Sequence, residues 1–108
     1  KSKQRPCLVV ATEDNQAELV QFTTREKSDG GVSRTLVPNR AALGLRRDSY
    51  IRQGQTCKIS TNEVHEQIGW VTAQAAEVVC GCVNISFEHK RALLAAANEH
   101  HPPLDNAV

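Results

Sequence analysis

Through its first half the chain sets short apolar runs between polar breaks, and then it shifts to a helical period. Pro6–Thr12 (PCLVVAT) is β-branched and almost wholly apolar, which predicts a buried strand. Glu13–Gln16 is a polar turn. Ala17–Thr24 (AELVQFTT) predicts a second strand, with Phe22 continuing the Val20 face, and the two strands predict a hairpin. Arg25–Ser33 is charged and carries Gly30-Gly31, which predicts a mobile loop. Arg34–Val37 reads as a short strand ending at Pro38-Asn39, and Arg40–Leu45 as a helical turn closing at Gly44. Ser49–Ile59 reads as a strand interrupted near Gly54.

Val64–Val71 fits either a short strand or the approach to a helix. Thr72 is placed as an N-cap, since its hydroxyl can accept from the first free helical amides. Ala73–Val83 follows as a helix, with Ala75, Val78, Val79 and Cys82 at helical spacing. Gly81 opposes it, at roughly 1 kcal/mol for a glycine in a helix interior. A second helix is predicted over Glu88–His100, stopping before Pro102-Pro103, with a loose tail to Val108. Strands first and helices last predict a mainly β domain, a small barrel with C-terminal helices packed on it. Residues 1–87 would form the barrel and its first helix, and 88–108 an extra helix and tail of the same domain.

Composition changes this picture little. A length of 108 residues fits one domain, and with 4% aromatic residues its core must be mostly Val, Leu, Ile and Ala. Trp70, the single tryptophan, reads first as a core anchor and second as a stacking surface for a base. Charge adds more. The net charge is +1, yet residues 1–60 hold eleven Lys/Arg against six Asp/Glu, and residues 61–108 hold two against six. The basic half can attract a polyanion, or it can be an ordinary solvated surface.

Cysteines stand at 7, 57, 80 and 82. Their spacing matches no zinc motif, so no metal or other cofactor is expected, and they read as buried or free thiols of a reducing cytoplasm. No apolar run is long enough to span a membrane, and Lys1–Pro6 has no signal-peptide core.

Three pieces, in order, resemble the PemK/MazF family of toxin endoribonucleases. They are Arg5-Pro6 leading into CLVVAT; LVQFTT (19–24) followed by a charged loop; and GLRRDSYIRQGQTCKIS (44–60) followed by IGWVTAQAAEVV (68–79). The last run is similar to the family's "IG-x-L-[ST]" entry into a C-terminal helix. The resemblance covers residues 5 to about 85. It implies an SH3-like β-barrel of the PemK/MazF/CcdB type, a homodimer, a groove for single-stranded RNA, and a small antitoxin partner. It also implies metal-free cleavage by the RNA's own 2′-hydroxyl. Family members open with a further strand and a loop that often contributes a carboxylate; neither has a counterpart among the residues before Arg5.

Two positions inherit catalytic roles from the resemblance. Arg5 would meet the scissile phosphate as acid or charge stabiliser, and Thr23 would hydrogen-bond it. A guanidinium fork matches the non-bridging oxygens on which charge develops. Thr24, Arg25, Lys27 and Gln55 are candidate RNA contacts. Each also has a plainer reading: strand propensity for the threonines, loop solubility for Arg25 and Lys27, and turn closure for Gln55. Arg46, Arg47 and Arg52 either flank a groove or are solvated. Asp48 reads first as a turn former and second as a carboxylate for the site, and no histidine is assigned a role. Two other functions compete with the nuclease: a barrel that binds RNA or protein without cutting, and a CcdB-like poison of a topoisomerase.

Overall fold

The computed structural model describes residues 5–100; Lys1–Gln4 and the tail from His101 lie outside the described residues. The first hairpin forms as its pattern predicts. Strand β1 spans Cys7–Glu13 and β2 spans Gln16–Thr23, paired antiparallel. The turn residues Asp14 and Asn15 take φ of 53° and 64°. Short polar side chains tolerate this left-handed region, and two such residues match the twist of the flanking strands. The register shifts between Val9 and Ala11, so β1 carries a bulge at Val10.

The remaining strands arrange themselves around β2. Strand β3 is Thr35–Leu36, β4 Tyr50–Ile51, β5 Gly54–Gln55 and β6 Cys57–Ser60. β4 pairs the end of β2 through Phe22↔Ile51, and β6 pairs its start through Leu19↔Cys57. The interruption expected at Gly54 therefore has a geometry. Between those two pairs β2 advances three residues while its partner advances six. The surplus bows out as β5, where Gly54 has φ of 107°, and pairs in parallel with β7, Val83–Asn84. The result is a β-rich domain with a mostly antiparallel sheet and two helices. Among the described residues the sheet is open, with β1, β3 and β6 each paired on one side.

Helix α1 spans Ala73–Cys82, and α2 spans Phe87–His100. Thr72 caps α1 as predicted, its hydroxyl accepting from Ala75 N at 3.1 Å. Ser86 does the same for His89 N at 3.2 Å. Both helices pack on one side of the sheet. Val20, Phe22 and Ile51 meet Ala75, Ala76, Val79, Leu93 and Ala97 in a single cluster built from small and β-branched residues. Leu43 and Leu45 join it from the one-turn 3-10 helix Arg40–Leu43, which Gly44 closes at φ of 85°.

Trp70 departs from the expectation. It is 47% exposed rather than a core anchor. Residues 64–70 run irregularly across the surface before Val71 enters the core, and the main chain crosses that of the Leu43–Gly44 turn at close range. A Cβ on Gly69 would overlap the Leu43 carbonyl, and one on Gly44 would overlap that of Ile68. Two main chains cross there with no room for a side chain on either glycine.

Candidate nucleic-acid interface

Side chains alternate along β2. Val20 and Phe22 face the helices, so Leu19, Gln21 and Thr23 face the other way. The hairpin ladder runs one step past β1, with Phe22 N donating to Pro6 O at 3.3 Å. Continued two residues past Cys7↔Gln21, the same register would bring Arg5 level with Thr23. On the far side Thr23 pairs with Tyr50. The two residues read as catalytic thus fall at the same end of the hairpin, Arg5 exposed and Thr23 half-buried.

Thr23 Oγ1 also accepts from Arg25 N at 3.2 Å, which turns the chain into the following loop. That loop is more organised than its composition suggests. Lys27 and Ser33 form an isolated bridge, Ser28 N donates to Val32 O at 2.9 Å, and Arg34 N donates to Glu26 O at 2.8 Å. The Arg34 guanidinium clips it further, donating from Nη1 to the carbonyls of Arg25 and Lys27 at 3.1 and 3.2 Å. Arg25 lies 3.5 Å from Asp29, but both side chains are largely exposed, and such pairs contribute little.

Where β5 bows out, the open face sinks into two adjoining hollows. One, of about 120 Å³, is lined by Leu19, Gln21, Arg52, Gln53, Gln55 and Cys57. The other, of about 160 Å³, shares Arg52 and Gln53 and adds Ser28, Val32 and Arg34. Arg52 is the hinge between them. Its backbone N donates to Gln21 O at 3.0 Å, and its Nη1 donates to Gln21 Oε1 at 3.0 Å. The Gln21 amide nitrogen lies 3.7 Å from Cys57 Sγ, and the Gln53 amide donates to Thr35 Oγ1 at 3.3 Å.

Gln55 lines the smaller hollow. Arg25 and Lys27 are exposed on the clipped loop; Thr24, at its entry, lines neither hollow. Gln21, Arg34 and Gln53 were not legible as site residues, and Arg52 was read only as a possible flank. The available signal was the period-two spacing of Gln21 and Thr23, together with the run Arg52-Gln53-Gly54-Gln55.

Other candidates resolve as structure. Asp48 pairs with Arg40 at 3.1 Å and Ser49 Oγ donates to Arg47 O at 3.0 Å, so this segment is a braced turn. The cysteines are free. Burial pushes the Cys7 thiol up, and Cys57 nearby adds to that shift. The Cys80 thiol is also raised, chiefly by burial, with Lys90 opposing. Among the described residues no group of three His, Cys, Asp or Glu is placed to hold a metal ion, and no helix is long and apolar enough to cross a membrane.

No protein-family model matches the chain, and neither the curated proteins nor the solved structures contain a significant match to it.

Proposed function

We propose that the open face binds single-stranded RNA and cuts it without a metal, as the toxin of a toxin–antitoxin pair. What supports this reading is a hairpin register that, continued past Cys7↔Gln21, brings Arg5 level with Thr23, on a sheet whose hollows are lined by Arg52 and three glutamines. Arg5, Arg25, Lys27, Arg34 and Arg52 supply cations for phosphates, and the hollows offer room and amide groups for splayed bases.

In this mechanism the 2′-hydroxyl gives up its proton to water as its oxygen attacks the adjacent phosphorus, the bond to the 5′-oxygen of the next nucleotide breaks, that oxygen takes up a proton from water, and a cyclic phosphate and a free 5′-hydroxyl remain. Arg5 neutralises charge growing on the non-bridging oxygens, and the Thr23 hydroxyl donates to one of them. The fold would be an SH3-like barrel that dimerises about a two-fold axis. Exposed Val9, Leu36 and Ile68 offer apolar surface for such contact, or for the antitoxin. Four free thiols suit a reducing cytoplasm.

The deciding experiment incubates the protein with mixed-sequence single-stranded RNA in EDTA. Cleavage with cyclic-phosphate ends is expected, and a substrate carrying deoxyribose at the cut site should stay whole. Cleavage of the deoxy substrate would overturn the mechanism. Binding without any cleavage would move the assignment to a non-catalytic barrel.

A further inference from the structure

One polar cluster lies outside this face. Glu18 sits on the helix side of β2, with its side chain 13% exposed. Both carboxylate oxygens are engaged. His89 Nδ1 lies 2.8 Å from Oε1, and the Thr56 hydroxyl donates to Oε2. A carboxylate so far from water needs such partners. The three residues come from β2, from the first turn of α2, and from the link between β5 and β6. Thr56 is the hidden neighbour of the site. Alternation through Gln55-Thr56-Cys57 sends the outer two into the smaller hollow and Thr56 through to the opposite side. The bowed segment that lines the hollow is thus fastened, through Glu18, to a helix on the other face of the sheet.

We propose that Glu18 and His89 are positioning residues for the hollow: the Thr56–Glu18–His89 chain holds Gln55 and Cys57 in their binding geometry and couples the placement of α2 to affinity at the open face. The affinity part rests on the RNA reading above; the positional part stands without it. Apart from the Arg52–Gln21 and Gln53–Thr35 bonds at its start, this segment is held by the two-residue pairing of β5 with β7 and by Thr56. A segment so lightly paired takes its position from its few side-chain ties.

The test uses the whole chain and two readouts: affinity for a fluorescein-labelled, mixed-sequence single-stranded RNA, and the amide resonances of Gln55 and Cys57. His89→Leu removes the ring nitrogens, whereas His89→Asn keeps a donor near the place of Nδ1. His89→Leu should move both resonances and weaken binding about tenfold, in line with one lost bond to a charged group. His89→Asn should restore both. In combination with Thr56→Val the loss should not exceed that of either single change, because both cut the same chain. A folded His89→Leu protein with unmoved resonances and parental affinity overturns the proposal, as does full additivity in the double variant. If the parent binds no RNA, the functional reading falls, and the resonances alone decide for or against the positional link. If His89→Leu does not fold, Thr56→Val decides: a shifted His89 ring resonance supports the chain, and an unmoved one overturns it.

Discussion

Leu19 and Val20 are neighbours in the chain, and both are nearly closed to water, at 4% and 1% exposure. Different things bury them. Val20 belongs to the cluster where sheet and helices meet, while Leu19 lies outside that cluster, flanked by Val9 and Cys57 on the strands either side. One face of β2 is covered by the protein's own helices. The other lies outside that helix-packed cluster and opens into hollows beyond Leu19. Stability therefore concentrates on the first face, the chemistry proposed above falls on the second, and substitutions on alternate residues of one strand should separate the two.

The sharpest break is Phe22→Ala on the helix face. It should lower stability by about 3–5 kcal/mol, read by denaturant titration, because the side chain is buried where both helices pack. Arg5→Ala on the open face should leave the unfolding midpoint in place and cut the cleavage rate about a hundredfold, with RNA affinity much less affected. A parental rate would separate the register from the chemistry. Thr23→Val keeps shape and strand propensity but loses the hydroxyl, so single-turnover rates should fall about tenfold. Equal loss of stability would instead assign Thr23 to the fold. Thr72→Ala is the control on the covered side. It removes the cap of α1, should cost about 1 kcal/mol, and should not alter the rate per folded molecule.

Local signals carried most of the elements. The hairpin could be read within one residue at each end because its strands are apolar runs around a polar turn, and the α1 cap because threonine precedes an alanine-rich helix. What escaped depends on partners distant in the chain. The β5–β7 pairing joins residues on either side of α1, and nothing local marks it. The exposure of Trp70 follows from the backbone crossing at Gly44 and Gly69, which propensity does not describe. The same division runs through the site. Arg5 level with Thr23 follows from the continued hairpin register alone. Gln21 and Arg52 become partners only once β4 has taken its place beside β2, and Glu18 finds His89 only when α2 docks.

The bulge at Val10 also bears on whether strands of further molecules can stack without end on this edge. β1 is an edge of the sheet, and its Cys7–Ala11 run has no charge and strong β character, a composition that favours strand-on-strand self-association. An edge of that kind recruits further chains when it is flat and in step. Here the surplus residue breaks the step in mid-run, turns Val10 inward to 6% exposure, and adds twist. One displaced valine thus serves both as core and as a guard against fibre growth along the strand that carries Arg5 at its entrance.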